Sequence, residues 1–390
     1  MSEKLWGINN MQTKPLHERY DRQEKIQGWN QKLLSDARVV VVGAGAIGNE
    51  VIKNLCMSGV GNLIIIDDDI IEISNLSRTV LFKEDDFNKQ KALTASYRAK
   101  ELNPDINVDA IAGNIFYDVG LGIYRKSNLV IGALDNNAAR LQLGISCLLA
   151  GTPYLDGAMW AFGGEVRWFL NKDGACFECT LSEEDKKYLH ERRSCTGYKT
   201  NDQNTYPIPT TVSTTSVIGG ILTQEAVKYL LGWKIKGSEA IVFDGRAMTM
   251  HRSTLSPNPK CPNHNDPYDN IIELKYSPDD ITPKDLIKMA CEDSQIDSKT
   301  LCLELSRDFL PGFYCKSCDT YEEIAKIISK VDESSRICSK CGKIREANIV
   351  SHVADSDPYS DKPLSYFGIP KGEILAVRSD HIVGFYELIF

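Results

Sequence analysis

The chain has 390 residues, of which 42% are hydrophobic and 25% charged. This composition is typical of a soluble globular protein with two or three domains and excludes disorder as its main state. Its net charge of -8 disfavours a general nucleic-acid or membrane binder, which needs clustered Lys and Arg. We see no run of about 20 apolar residues and no signal-peptide pattern, so we expect a cytoplasmic protein without a nucleic-acid or membrane partner.

A polar N-terminal arm covers residues 1–20, and the region 38–133 then alternates short apolar runs with helical patterns. Continuous apolar strands separated by helices predict a doubly wound, mostly parallel α/β sheet of the Rossmann-like type. The predicted strands are 38–42, 62–67, 106–111 and 128–134, and the predicted helices are 46–58, 86–102 and 136–150.

The pattern changes after residue 150, where residues 153–170 predict strands with a glycine-rich turn. The polar residues 181–210 predict a long exposed crossover loop. A helix over 211–231 and a strand over 239–245 follow. Four prolines in residues 257–267 predict a domain boundary, which divides the chain into domains of residues 21–264 and 265–390.

A glycine loop with Gly43, Gly45 and Gly48 follows the first strand and begins a helix. The first glycine allows a tight turn, the second lets a phosphate approach the backbone, and the third allows close packing. Asp67 lies nineteen residues after Gly48, where a carboxylate can bind ribose hydroxyls. By itself this pattern predicts a dinucleotide-dependent oxidoreductase.

The residues after Asp67 indicate a different class of enzyme. The chain has Ser74-Asn75-Leu76-Ser77-Arg78, Lys91 thirteen residues later, Asp135-Asn136 after the fourth strand, and Arg19-Tyr20-Asp21-Arg22-Gln23 before the first. Over residues 18–264 it resembles the ubiquitin-activating-enzyme (E1-like) superfamily, and above all its small bacterial adenylyltransferases for sulfur carriers. One departure is Thr79, where the family usually has Gln.

The resemblance implies an ATP- and Mg²⁺-dependent homodimer. It places Arg78, Lys91 and Asn75 at the phosphates, where positive charge stabilises the developing negative charge, and Asp67 at the ribose. It gives Asp135, with Asn136 beside it, to Mg²⁺, a cation that prefers carboxylate oxygens. Arg22 would reach into the site of the second subunit.

Paired cysteine spacings predict two sets of four metal ligands, Cys176, Cys179, Cys261 and His264 in the first and Cys315, Cys318, Cys338 and Cys341 in the second. Four such ligands suit tetrahedral Zn²⁺ and leave no open position, so both sites would be structural. The first resembles the zinc site of the family, with His in place of the last Cys. The alternative is unligated thiols.

Cys195 lies alone in the polar connection, beside Arg192 and Arg193, whose charge can stabilise a thiolate. The family carries its acyl-accepting cysteine in this interval, so the resemblance implies a thioester on Cys195. The alternative is an inert loop thiol.

The last domain is predicted to be a small α+β zinc-ribbon domain, with strand patterns at 271–276, 374–379 and 384–390. We consider a β-grasp-like module divided by the ribbon, similar to the adaptor domains with which activating enzymes recruit a carrier or a conjugating-enzyme partner.

We therefore predict an enzyme that adenylates the C-terminal carboxylate of a ubiquitin-like protein or peptide and then forms a thioester on Cys195. The alternatives are an NAD(P)-dependent oxidoreductase, a catalytically silent interaction scaffold, and a tRNA-modifying cyclodehydratase of the same superfamily. The acidic balance and the extra domain disfavour the last of these.

Overall fold

The computed structural model of the chain describes residues 18–170, 173–194, 209–264 and 267–389. Its helices are α1 (Asp21–Glu24), α2 (Gln31–Asp36), α3 (Ala46–Ser58), α4 (Lys91–Leu102), α5 (Leu121–Arg125), α6 (Asn137–Ala150), α7 (Glu183–Ser194), α8 (Val212–Leu230) and α9 (Pro283–Ser294). Its strands are β1 (Arg38–Val42), β2 (Asn62–Ile66), β3 (Asn107–Ile111), β4 (Leu129–Gly132), β5 (Tyr154–Trp160), β6 (Gly163–Phe169), β7 (Glu239–Asp244), β8 (Thr249–Thr254), β9 (Ile271–Leu274), β10 (Cys302–Cys315), β11 (Thr320–Ile327), β12 (Glu346–Ala347), β13 (Val350–Ala354), β14 (Ile374–Arg378) and β15 (Ile382–Leu388).

The first sheet has the order β3-β2-β1-β4-β5-β6-β7-β8, and its first five strands are parallel. Val39 and Val41 of β1 pack into one apolar cluster, whereas Val40 and Val42 pack into another, so both faces of the sheet are covered. The predicted doubly wound sheet is confirmed, and its predicted strands agree with the structure to within two residues.

The helix predicted over 86–102 begins later, as α4, at Lys91. A short 3-10 turn over Glu84–Asp86 precedes it, and the backbone N–H of Lys83 donates to the Asp86 carboxylate. This carboxylate caps the start of a separate turn before α4, so the helical pattern in the sequence started too early.

Three antiparallel strands, β6 to β8, extend the parallel half, and the predicted glycine-rich hairpin is formed by β5 and β6. The edge strand β8 is exposed along its length and carries little apolar signal, so the sequence pattern missed it. Helix α8 begins at Val212, one residue after its predicted start, and the hydroxyl of Thr211 accepts from the backbone N–H of Thr214.

The prediction that residues 181–210 form an exposed loop throughout is wrong for their first half, which forms α7. Ser182 accepts from the backbone N–H of Asp185, and three acidic residues occupy the first turn. Leu189 is buried and anchors this otherwise polar helix. A single apolar anchor gives no 3.6-residue pattern, which is why the polar composition suggested a loop.

The second sheet has the order β11-β10-β14-β15-β9, and β12 and β13 also pair with β10. Helix α9 packs on this sheet, and the core between them includes Leu286, Leu303 and Phe309. Strand β10 changes register between Glu304 and Phe309, where it turns from β14 towards β11. This agrees with the predicted α+β domain; its β-grasp-like character stays a prediction.

The two sheets are joined through α5. Arg125 of α5 pairs with Glu387 of β15, which is 1% exposed, whereas within the second domain Arg307 of β10 pairs with the equally buried Glu373. The backbone N–H of Gly122 donates to the carbonyl of Gly372 at 2.8 Å. The predicted boundary between residues 264 and 265 lies in the connection from β8 to β9. None of the helices in the described ranges has both the length and the apolar character needed to span a bilayer.

Candidate active site and metal-ligand clusters

Three loops meet at the carboxyl edge of the parallel strands, after β1, β2 and β4. Val42 pairs with Ile66 on one side and with Gly132 on the other, so the three strands end at the same level. The chain order of the strands reverses between β1 and β4. A crevice at such a reversal is where doubly wound sheets bind their ligands.

The glycine loop after β1 requires two of its three glycines. Gly43 has a φ of +94°, and a Cβ there would lie 2.5 Å from the carbonyl oxygen of Ala133. A Cβ at Gly48 would overlap the carbonyl oxygen of Gly43. Gly45 precedes the first turn of α3, and nothing lies within 4 Å of where its Cβ would be. The free N–H groups of this turn can therefore receive an anion.

Asn49, which the sequence reading did not single out, holds this loop from behind. It is fully buried, and its Nδ2 donates to the carbonyl of Ala44 at 2.6 Å. Its Oδ1 accepts from the backbone N–H of Leu81 at 2.9 Å. Asn49 thereby joins the glycine loop to the segment that follows Arg78. An amide that directly follows the last glycine of the loop was the available signal.

Asp67 contacts the glycine loop directly. Its Oδ2 accepts from the backbone N–H of Ala44 at 2.6 Å, and its Oδ1 accepts from that of Asp69 at 2.9 Å. Burial raises the pKa of Asp67 to about 6, although the Ala44 N–H and the charge of Lys91 favour the carboxylate. A partly buried acceptor thus borders the crevice, where the sequence places the ribose.

Lys91, at the start of α4, contacts the loop after β2, which also carries Asp67. Its Nζ donates to Asp69 Oδ2 at 2.7 Å, and its side chain is only 11% exposed. Its backbone N–H also donates to the carbonyl of Asp69 at 3.0 Å. The structure therefore brings Lys91 and Asp67 together, and Asp69 is a site residue that the sequence reading did not identify.

Residues 67–69, three aspartates in a row, are called here the acidic segment. Arg78 and Asn75 lie on a short turn that follows it. Arg78 Nη1 donates to the carbonyl of Ser74 at 2.7 Å, and Asn75 Oδ1 accepts from the backbone N–H of Glu72 at 3.0 Å. Thr79, the departure from the family pattern, is buried, and its hydroxyl donates to the carbonyl of Asn75. These contacts stay within the turn, so their role at the phosphates remains a prediction.

Asp135 is exposed in the loop after β4, and Asn136 Nδ2 donates to its Oδ1 at 3.2 Å. Asn136 also begins α6 by accepting from the backbone N–H of Ala139. Arg140, buried and unforeseen, donates to the carbonyls of Leu134 and Gly157 and so fixes this loop. An exposed carboxylate on a fixed loop is a donor that suits Mg²⁺.

One residue assigned from the resemblance is not brought to these loops, and another lies outside the described part of the chain. Arg22 is exposed on α1, a helix separate from the three loops. Cys195 lies outside the described residues, as do the side chains of Arg192 and Arg193. The predicted thiolate environment therefore stays a prediction.

The first predicted ligand set forms a cluster. Cys176 Sγ lies 3.7 Å from Cys179 Sγ and 3.5 Å from Cys261 Sγ, and His264 Nε2 lies 3.2 Å from Cys179 Sγ. Zn–S bonds of about 2.3 Å in a tetrahedron separate sulfurs by roughly 3.8 Å, which fits these distances. The cluster connects the segment after β6 to the end of the first domain.

The second predicted set also converges. The donor atoms of Cys315, Cys318, Cys338 and Cys341 lie within 4.8 Å of one another. Cys315 is the last residue of β10, and Cys338 and Cys341 lie on a tight turn, closed by a β-bridge between Ile337 and Ile344. Both donor sets suit structural zinc.

Three comparisons with known proteins show what this chain is similar to. The model of the ThiF family matches residues 20–263. A sulfur carrier protein adenylyltransferase of Thermus thermophilus is 30% identical, over 64% of this chain and 91% of that protein. A SAMP-activating enzyme E1 of Haloferax volcanii is 31% identical, over 63% and 87%. A crystal structure of E. coli MccB with ATP shares the fold, with a TM-score of 0.53 and 24% identity over 66% of this chain and 75% of that chain.

Proposed function

The chain belongs to the ThiF family and is an E1-like adenylyltransferase, and from this premise we propose that it activates the C-terminal carboxylate of a ubiquitin-like protein or peptide with ATP. The observation that carries the proposal is the meeting of the glycine loop, Asp67 and Lys91 at one sheet edge. Family membership disfavours an oxidoreductase and a silent scaffold.

ATP binding uses the backbone of the glycine loop and the carboxylate of Asp67. The N–H groups at the start of α3, beside Gly45, donate to the phosphate oxygens, because they are free and carry the positive end of the helix dipole. The carboxylate of Asp67 accepts from the ribose hydroxyls. Its contact with the N–H of Ala44 keeps the two parts of this site in register.

The chemical step is an attack on the α-phosphorus. A carboxylate oxygen of the substrate forms a new bond to the α-phosphorus, and the bond from this phosphorus to the oxygen that bridges to the β-phosphate breaks. Pyrophosphate departs, and the product is an acyl-adenylate. Lys91 leaves its contact with Asp69 and donates to the phosphate instead. Arg78 and Asn75 add hydrogen-bond donors where negative charge develops. Asp135, with Asn136 beside it, would hold Mg²⁺, which neutralises phosphate charge when bound.

A homodimer completes this proposal. Arg22 is exposed on its own short helix, and in the proposed dimer it would extend to the nucleotide of the second subunit. Each site would then contain Lys91 of one chain and Arg22 of the other. The two subunits would therefore depend on each other for catalysis.

The proposed second step takes place on Cys195. Its thiolate would attack the carbonyl carbon of the acyl-adenylate, form a thioester and release AMP. A conjugating-enzyme partner would then accept the acyl group. Intact-mass measurement after incubation with ATP and carrier should show a thiol-sensitive adduct that Cys195→Ser abolishes or converts to an ester. A thiol-sensitive adduct that persists in Cys195→Ser would exclude this step.

The decisive assay is the carrier-dependent exchange of labelled pyrophosphate into ATP. Lys91→Met should lower the exchange rate by about a hundredfold or more, because a buried cation is lost where charge develops. Lys89→Met is the matched control, since Lys89 is exposed and pairs with Asp86 outside the site. No exchange with any small carrier, or equal effects of both variants, would contradict the proposal.

The same assay tests the shared site. Arg22→Ala and Lys91→Met should each be nearly inactive, but a mixture that exchanges subunits should recover activity. One site of each mixed dimer then has both native cations. A mixture as inactive as its components would show that Arg22 does not act across a dimer.

A further inference from the structure

We infer that the C-terminal domain positions a wall of the nucleotide site, through Arg307 and Lys330. The wall is the loop of residues 112–120 between β3 and α5, called here the β3–α5 loop. This inference rests on the proposed function, because it concerns ATP binding at the same site. Both residues lie outside residues 20–263, the part that matches the family model.

The β3–α5 loop borders the acidic segment of the site. The backbone N–H of Asp67 donates to the carbonyl of Ile111, where β3 ends, at 3.2 Å. Asn114 Nδ2 donates to Asp68 Oδ2 at 2.6 Å. Asp68 lies between Asp67, which contacts the glycine loop, and Asp69, which pairs with Lys91. The position of this loop therefore influences the segment that carries the proposed ribose acceptor.

Within the loop, Asn114 and Asp118 determine the backbone conformation. Asp118 Oδ2 accepts from the backbone N–H of Asn114 at 2.9 Å, and Asn114 Oδ1 accepts from that of Phe116 at 2.9 Å. The Asn114 side chain thus connects the loop backbone to Asp68. A shift of Asp118 would be transmitted to the acidic segment through this residue.

The C-terminal domain holds the loop with two cations. Lys330 Nζ donates to Asp118 Oδ1 at 2.6 Å and lies 4.4 Å from the ring centre of Tyr117. Arg307 Nε donates to the carbonyl of Phe116 at 2.9 Å, and its Nη2 donates to that of Val119 at 3.2 Å. A continuous path of hydrogen bonds leads from Lys330 through Asp118 and Asn114 to Asp68.

The orientation of Arg307 is set by its ion pair with the buried Glu373. A guanidinium is rigid and planar, so an arginine held at one edge presents its other donors in a constant direction. Lys330 in addition offsets the charge of Asp118 next to an acidic segment. Neither residue contacts the reacting groups, so both should affect ATP affinity and leave the turnover rate nearly unchanged.

The test compares two conservative variants at the same domain interface. Arg307→Lys keeps a cation beside Glu373 but loses the two carbonyl contacts to the loop. Arg125→Lys, the control, alters a pair with the equally buried Glu387 that does not involve the loop. Arg307→Lys should raise the Kd for ATP, measured by calorimetry with ATP alone, roughly fivefold, and Arg125→Lys should leave it within about twofold. The kcat of pyrophosphate exchange should stay within about twofold in both variants.

Lys330→Met should raise the Kd for ATP roughly threefold, and the added change Asp118→Asn should raise it little further, because both act on one path. Equal effects of Arg307→Lys and Arg125→Lys, or a lower kcat at unchanged KM, would overturn the inference. A wild-type chain that binds ATP, with variants that bind it equally well, overturns the inference alone. A wild-type chain that binds no ATP removes the proposed function as well.

Discussion

The parallel half of the first sheet and the C-terminal sheet hold their important residues in place by different means. In the parallel half, Gly43, Asp67 and Asp135 follow closely on the ends of buried strands, so neighbouring main chain positions them. In the C-terminal domain, Arg307 and Lys330 are held by ion pairs with partners far away in sequence. The first arrangement can be read from a local pattern, whereas the second cannot.

The amount of buried apolar surface also differs between the parallel half of the first sheet and the C-terminal domain. The parallel strands lie between two extended apolar clusters, one on each face. The segment from Cys315 to Cys341, which carries the second ligand set, is called here the ribbon. The apolar cluster beneath it contains four buried residues, Leu310, Phe313, Ile328 and Val331. A core this small contributes little to folding, so the ribbon should depend on its metal.

The largest expected effect therefore concerns the ribbon. Cys315→Ser should remove one of two zinc equivalents per chain and unfold the ribbon, because structural zinc contributes on the order of 10 kcal/mol of folding energy. Metal analysis together with hydrogen exchange over β10 and β11 measures both effects. Cys302→Ser, on the same strand but outside the cluster, is the control. Retention of both equivalents in Cys315→Ser would rule out this zinc site.

A smaller effect is expected in the glycine loop. Gly48→Ala should lower the free energy of unfolding by about 3 kcal/mol or more, because the new Cβ overlaps the backbone of Gly43, which cannot yield. Gly220→Ala, in the open middle of α8, should raise it by about 0.5–1 kcal/mol. Chemical denaturation measures both changes. A tolerated Gly48→Ala would mean that the loop can move away from α3.

The smallest effect concerns pH. The raised pKa of Asp67, about 6, means that its carboxylate is lost as the pH falls through this value. Since the proposed ribose contact requires the ionised Asp67 carboxylate, ATP affinity should fall below pH 6, by up to about tenfold per pH unit. Asp67→Asn should remove this dependence and leave only the titration of ATP itself, which both proteins share. The same pH profile in the wild-type protein and in Asp67→Asn would show that the Asp67 carboxylate does not bind the nucleotide.

Much of the first domain could be predicted because its signals are local. The run of apolar residues before Gly43 predicted a strand, and the i, i+3 spacing of Cys176 and Cys179 predicted a pair of ligands. The helix α7 was missed because, among the side chains that the structure describes in it, Leu189 alone is a buried apolar anchor. Composition alone could not distinguish this helix from a loop.

The amino-acid order by itself determined the parallel sheet, the glycine turn and both ligand sets, since periodicity and short spacings specify backbone conformation and donor geometry. Only the tertiary structure decided that Asp69 pairs with Lys91, that Arg140 fixes the Leu134 carbonyl, and that Arg307 reaches the β3–α5 loop. The Lys91 and Arg307 partners lie 22 and 191 residues apart in sequence, and Arg140 also binds the carbonyl of Gly157 on the neighbouring strand. Packing of whole elements brings such groups together, and no local pattern records it.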